Sequence, residues 1–102
     1  LYVHTAIIEI EAIACMEAIC CGAVPVICNS PRSATRFFAI GDNSLYEQYD
    51  IEDLASKIDY WFEHPEEKAE RSKEYGATRR SFSQRECMEK MEAMLTDAVR
   101  NK

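Results

Sequence analysis

Apolar residues follow two different spacings along the chain, and the change between them predicts its secondary structure. Continuous apolar runs at residues 1–4 and 24–28 are typical of parallel strands that are covered on both faces. Between them, at about residues 10–21, the pattern becomes helical, and Gly22 marks the end of this helix. The order strand, helix, strand predicts a βαβ unit with a right-handed crossover.

The first predicted helix differs from an ordinary surface helix because its apolar positions run almost all the way round. A helix that is hydrophobic on every face is normally buried, so we expect this one to lie inside the fold. A loop at residues 29–33, a short helix at 35–40, a turn at 41–44 and a third short strand at 45–47 are predicted to follow the second strand.

The rest of the chain is predicted to be helical. Asp50 is a candidate N-cap for a helix with one apolar stripe, formed by Leu54, Ile58, Trp61 and Phe62. Pro65 opens a charged helix that stops at Gly76, and the pair Arg79 and Arg80 after it is expected on a solvated face. A capping box, Ser83 with Glu86, precedes a last helix. Its apolar face comprises Cys87, Met91, Met94, Leu95 and Ala98.

These elements predict an α/β fold with two or three parallel strands flanked by several helices. The length of 102 residues corresponds to one domain. Because residues 1–4 already read as a core strand, we expect further sequence upstream. A sheet cut short in this way exposes an edge strand, which favours self-association.

Charge and hydropathy exclude several classes of partner. The net charge of −6 and the pI of about 4.9 argue against nucleic acid and give no general attraction to anionic membranes. The longest apolar stretch, residues 12–28, is interrupted by Glu17, Gly22 and Pro25, so no membrane-spanning helix is predicted.

Cysteine usage indicates a cytosolic protein. The five cysteines are odd in number, and four lie in apolar runs, which predicts reduced and buried thiols at Cys15, Cys20, Cys21, Cys28 and Cys87. No CxxC pair is present, and only His4 and His64 could complete a zinc site, so a metal site is not expected. A cysteine-based redox function is a further alternative.

Two glutamates are the candidate functional residues. Glu17 lies among apolar positions of the first helix, so it either faces a cleft or meets a basic partner. Glu9 lies eight residues earlier, at the carboxyl end of a strand and beside a helix N-terminus, where ligands bind in open α/β sheets. The amides of residues 10–13 offer an anion site there. A solvated loop glutamate is the alternative reading of Glu9.

Residues 9–27 (EIEAIACMEAICCGAVPVI) resemble the E-x7-E region of retaining glycosyltransferases with two Rossmann-like domains, known as group 1 or family 4. Residues 50–62 with the following HPEE are similar to later helices of that family, so the resemblance extends to about Tyr75. The matching residues of the E-x7-E region are Glu9, Glu17, Ala18, Cys21, Gly22, Pro25 and Val26.

The resemblance implies a role for each motif residue. Glu9 would approach the donor sugar hydroxyls at the reacting centre, and Glu17 would hydrogen-bond the ribose hydroxyls of the nucleotide. The resemblance also implies that sugar transfer would proceed with retention and without a bound metal. No cofactor would be needed, and a nucleoside diphosphate sugar would be the donor substrate. The backbone that would lie against the donor phosphates and sugar belongs to Ile10, Glu11, Ala12 and Ile13.

The departing diphosphate would be stabilised by the helix dipole and by basic side chains. Arg32 and Arg36 are the nearest cations along the chain, and we expect them to be surface charges instead.

The resemblance also implies that residues 1–102 are the distal part of a C-terminal, donor-binding Rossmann-like domain, whose N-terminal Rossmann-like partner is missing. The acceptor, a lipid, polysaccharide or protein, stays open, as does a peripheral position at the inner face of the membrane for a cytoplasmic enzyme. The isolated chain is expected to be inactive. The alternative function is a non-catalytic α/β nucleotide-binding or interaction module, in which Glu17 is only salt-bridged.

Overall fold

Three short parallel strands form the centre of the structure, a computed structural model that describes residues 1–78 and 83–101. They are β1 (Tyr2–His4), β2 (Pro25–Asn29) and β3 (Leu45–Glu47), in the order β1-β2-β3. His4 is aligned with Ile27, and Asn29 with Glu47. The prediction of an α/β fold with two or three parallel strands is confirmed. Arg79 and Arg80, expected on a solvated face, lie outside the described residues.

Helices account for most of the remaining described chain. They are α1 (Ile13–Cys20), α2 (Ile51–Glu63), α3 (Pro65–Ala77) and α4 (Gln84–Arg100), with two 3-10 helices at Ala34–Phe38 and Asp42–Ser44. The predicted caps are confirmed, because the Asp50 carboxylate accepts the N–H of Asp53 at 2.9 Å and the Ser83 hydroxyl accepts that of Glu86 at 3.4 Å.

The hydrophobic core is built around β2, which is buried on both faces. Val26 and Ile27 are fully buried on opposite sides of this strand, as its continuous apolar run predicts. Each of α1, α2 and α3 contributes side chains to the same core: Cys15, Ile19, Trp61 and Tyr75.

Tyr75 and Trp61 tie the helices to the segment that precedes β3. The Tyr75 hydroxyl donates to the Ser44 hydroxyl at 2.8 Å and accepts the backbone N–H of Ile40 at 2.6 Å. The Trp61 indole N–H donates to the carbonyl of Asn43 at 2.9 Å. These buried polar groups are therefore satisfied within the fold.

The prediction that the first helix spans residues 10–21 and is buried on every face is wrong. Helix α1 begins only at Ile13, and the chain leading into it is held at Glu9 by a parallel bridge to Ser33. Only one side of α1 enters the core, while Ile13 stays 59% exposed on the other side. Apolar composition alone therefore overestimated the burial of this helix.

Two further burial predictions are corrected. Phe62, predicted to share an apolar stripe with Trp61, is 69% exposed, because adjacent helical positions differ by about 100° in direction. Cys21 and Cys87 are exposed, whereas Cys15 and Cys28 are buried and Cys20 is half-buried. Burial raises the pKa of the Cys15 thiol to about 11.

No helix among the described residues has the length and apolar character that crossing a membrane requires.

Candidate functional site

The carboxyl ends of β1 and β2 lead into two loops that are joined by hydrogen bonds. The Ser30 hydroxyl donates to the carbonyl of Ile7 at 2.6 Å. Glu9 donates its N–H to the carbonyl of Arg32 at 3.2 Å and accepts the N–H of Ala34 at 2.9 Å. Ser30 is fully buried, and the bond to Ile7 satisfies its hydroxyl in the absence of water. The two loops thus form one fixed rim at the edge of the sheet where ligands of α/β folds bind.

The Glu9 side chain projects from this rim while its backbone is held on both sides. The side chain is 28% exposed, and its Oε2 lies 3.7 Å from Nε2 of His4, the last residue of β1. Within residues 1–78 and 83–101, no Lys or Arg side chain lies within ion-pairing distance of Glu9. The Glu9 carboxylate is therefore available to a ligand at the mouth of the rim.

Helix α1 starts beside Glu9 with its N-terminus uncapped. Its N-cap is Ala12, whose methyl side chain cannot accept a hydrogen bond, so within the described part of the chain α1 has no side-chain cap, and its first turn contains no acidic residue. The first N–H groups of a helix have no partner within the helix and carry the positive end of its dipole. This arrangement can bind an anion.

The structure separates the predicted backbone ligands into two groups. Ile10 and Glu11 are exposed and Ala12 is buried, and all three belong to the loop rather than to the helix. Ile13 alone occupies the first turn of α1. The anion-binding turn therefore starts three residues later than the sequence predicted.

Glu17 lies one helical turn beyond Ile13, on the same exposed side of α1. Among the described residues, no side chain hydrogen-bonds to Glu17 or forms an ion pair with it. The alternative of a salt-bridged Glu17 thus finds no partner in the described part of the chain. If an anionic ligand binds at the N-terminus of α1, an exposed carboxylate one turn away can accept hydrogen bonds from hydroxyl groups of the same ligand.

The two nearby arginines differ in their surroundings. Arg32 is exposed, as predicted for a surface charge. Arg36 is half-buried and its guanidinium lies 4.9 Å from the centre of the Phe37 ring, a cation–π contact. The Nε atom of Arg36 and the hydroxyl of Thr35 are buried and have no hydrogen-bond partner among the described residues.

Large apolar side chains around the rim are exposed as well. Ile8 and Ile10, on either side of Glu9 in the chain, are 67% and 92% exposed. Exposed apolar side chains beside polar groups are typical of a surface that another molecule or domain covers. Among the described residues, no cluster of three or more His, Cys, Asp or Glu side chains could hold a metal ion.

His4 is the site residue that the sequence analysis missed. The sequence indicates this histidine only as a possible metal ligand, although its position at the end of β1 places it at the same sheet edge as Glu9. The spacing of five residues across a loop gave no direct sign of a contact, because loop geometry is not encoded by hydrophobic period.

Residues 1–79 match the family of glycosyl transferases group 1. The chain belongs to this family. Among solved structures, the catalytic domain of cholesterol-alpha-glucosyltransferase from Helicobacter pylori is similar, with 49% sequence identity and a TM-score of 0.78. The match covers 81% of the present chain and 52% of that chain, so the present glycosyltransferase chain spans about half the length of its solved relative. Comparison with curated proteins gave no match.

The family assignment confirms the resemblance seen in the E-x7-E region, and the solved relative confirms a Rossmann-like α/β architecture. The roles of Glu9, Glu17 and the α1 N-terminus are predictions that neither comparison tests.

Proposed function

We propose that this chain supplies the donor half-site of a retaining glycosyltransferase that uses a nucleoside diphosphate sugar. The observation that carries the proposal is the succession along the chain of the partly exposed Glu9 carboxylate, the N-terminus of α1 and the exposed Glu17 carboxylate, with no side-chain cap or Glu17 ion pair among the described residues. A nucleoside diphosphate sugar presents hydroxyls, phosphates and hydroxyls in the same order. Carboxylates accept hydrogen bonds from the hydroxyls, and helix N–H groups donate hydrogen bonds to the phosphates.

In the proposed arrangement the diphosphate lies at the first turn of α1, near Ile13. Glu17 is four residues further along, a rise of about 6 Å, and accepts hydrogen bonds from the ribose hydroxyls. Glu9 precedes the helix and accepts hydrogen bonds from the hydroxyls of the transferred sugar. The distances along the chain thus order the three groups as the donor requires.

The chemical step breaks the bond between the anomeric carbon and the diphosphate oxygen, and negative charge develops on the departing diphosphate. The N–H groups of Ile13 and Ala14 at the positive end of α1 stabilise that charge without having to reorganise. Retention means that the acceptor oxygen bonds to the anomeric carbon on the face from which the diphosphate leaves, and the departing diphosphate takes up the proton of the acceptor hydroxyl.

The relative from Helicobacter pylori is named as a cholesterol-alpha-glucosyltransferase, which makes glucose the first donor sugar and a sterol the first acceptor to test. The exposed Ile8 and Ile10 beside Glu9 are compatible with an apolar acceptor or a covering domain. We expect the acceptor to bind between this half-site and a second Rossmann-like domain outside the present chain.

The test is sugar transfer by the natural-length enzyme from UDP-glucose to cholesterol in detergent micelles, with the anomer of the product identified by NMR. We expect an α-linked product. Glu9→Gln is expected to lower kcat about a hundredfold, because a neutral amide replaces the charged carboxylate at the reacting centre. Glu70→Gln, an exposed position on α3, is the matched control. A β-linked product would contradict retention, and an unchanged kcat in Glu9→Gln would remove Glu9 from the reacting centre.

A further inference from the structure

The imidazole of His4 is a buried polar group at the rim, and the proposed donor site assigns no role to it. Its side chain is only 11% exposed, and its Nε2 atom is buried without a hydrogen-bond partner among the described residues. The Oε2 atom of the Glu9 carboxylate lies 3.7 Å from this Nε2 atom. Buried ring nitrogens are normally hydrogen-bonded, so the missing partner of Nε2 requires an explanation.

The two side chains differ in how firmly they are held. His4 is part of β1, aligned with Ile27 of β2, and its ring is stacked on that of Tyr2 with the ring centres 6.2 Å apart. Glu9 has a fixed backbone, but its side chain is long and partly exposed. The distance of 3.7 Å slightly exceeds hydrogen-bond length, and a rotation within the Glu9 side chain closes it.

We propose that His4 is a positioning residue, whose Nε2–H group holds the Glu9 carboxylate in the orientation in which it meets the donor sugar. This inference rests on the proposed function, because it assigns Glu9 to the sugar. A carboxylate aligned before the donor arrives loses less rotational freedom on binding, which increases affinity for the part of the ligand that it contacts. His4 itself does not touch the donor.

A positioning role for His4 predicts different changes in the affinities for a nucleoside diphosphate sugar and for the nucleoside diphosphate alone. A general loss of structure would lower both affinities together. Only the sugar contacts Glu9, so His4 affects binding of a nucleoside diphosphate sugar and leaves binding of the nucleoside diphosphate unchanged. We therefore compare UDP with UDP-glucose, and GDP with GDP-mannose, by titration calorimetry on the natural-length enzyme.

Three variants test the assignment of His4. His4→Leu removes the ring N–H and is expected to weaken sugar-nucleotide binding about three- to tenfold, with nucleotide binding unchanged. His4→Gln keeps an N–H donor near the position of Nε2 and is expected to restore most of the loss. Val3→Ala alters the same strand on the opposite face of the sheet, and both affinities should stay at the wild-type level.

A double-mutant comparison completes the experiment. In a Glu9→Ala background, His4→Leu should cause no further loss of sugar-nucleotide affinity, because the group that it positions is absent. A loss of UDP and UDP-glucose binding by the same factor in His4→Leu, or an additional loss in the Glu9→Ala background, would overturn the positioning role while leaving the donor site intact. A wild-type enzyme that binds neither nucleotide would overturn the donor site, and the role of His4 with it.

Discussion

Helices α2 and α4 have the same kind of sequence pattern and different surroundings. Both carry an apolar stripe at helical spacing and both begin at a side-chain cap, Asp50 for α2 and Ser83 for α4. Helix α2 buries Trp61 in the core, whereas none of residues 84–100 in α4 is buried. The family match ends at residue 79, before α4 begins.

The difference shows what a hydrophobic period specifies. It identifies the face of a helix that avoids water, and it contains no information on what covers that face. The stability of the described chain should therefore depend on residues up to Thr78, and the apolar face of α4 should contribute little to it while that face is exposed.

Trp61 gives the largest expected effect. Trp61→Ala should lower the free energy of unfolding by about 3–5 kcal/mol, because it leaves a cavity and removes the bond to the Asn43 carbonyl. The neighbouring Phe62→Ala is the matched control and should change stability far less, since Phe62 is 69% exposed. Urea denaturation measures both. Equal losses at the two positions would mean that the burial of α2 is misassigned.

The buried hydroxyl of Tyr75 gives the next largest effect. Tyr75→Phe should lower the free energy of unfolding by about 1–3 kcal/mol, because the N–H of Ile40 and the hydroxyl of Ser44 lose a partner inside the core. Tyr60→Phe, at a half-buried position whose hydroxyl donates to Glu67, should cause a smaller loss in the same urea experiment. A larger loss at Tyr60 would contradict this ranking.

Alkaline pH should destabilise the core. Burial, together with a hydrogen bond to Cys28, raises the pKa of the Tyr46 phenol to about 12, and burial raises that of the Cys15 thiol to about 11. Both pKa values are higher in the folded state, so the unfolded state releases its protons first. Stability should be complete below about pH 9 and should decline as pH rises towards 12. Urea denaturation across this range should show a shallower decline for Tyr46→Phe, and identical slopes would contradict the assignment.

The apolar face of α4 gives the smallest effect. Leu95→Ala should change the free energy of unfolding by no more than about 0.5 kcal/mol, because Leu95 is 56% exposed and alanine favours helix. Denaturation at two protein concentrations measures this change. A loss well above that value, increasing with protein concentration, would show that a second copy covers the apolar face of α4. Helix α4 would then have a buried face, as α2 does.

Local signals made much of the fold predictable. The continuous apolar run of β2, the short run of β3, and the caps Asp50 and Ser83 each depend on neighbouring residues, and the structure places them where the sequence predicted. The start of α1 was missed because the apolar pattern begins before Ile13, whereas the chain leading into the helix is held at Glu9 by a bridge to Ser33, a contact between residues far apart in sequence.

The candidate site was predictable to the extent that it depends on order along the chain. The positions of Glu9 and Glu17 around the start of a helix follow from the sequence, and the structure leaves both carboxylates partly or fully exposed. The contact between His4 and Glu9 could not be predicted, because the path of the loop between them is set by its bonds to residues 30–34.

The most direct test of the proposed donor site is titration calorimetry of the full-length protein with UDP and GDP, comparing the wild type with Glu17→Ala and with the control Glu70→Ala. If Glu17 binds the ribose, Glu17→Ala should weaken nucleotide binding by about 1.5–3 kcal/mol without lowering stability, and the control should not. If the wild type binds neither nucleotide, or if Glu17→Ala lowers only the stability, the chain is better described as a non-catalytic α/β module.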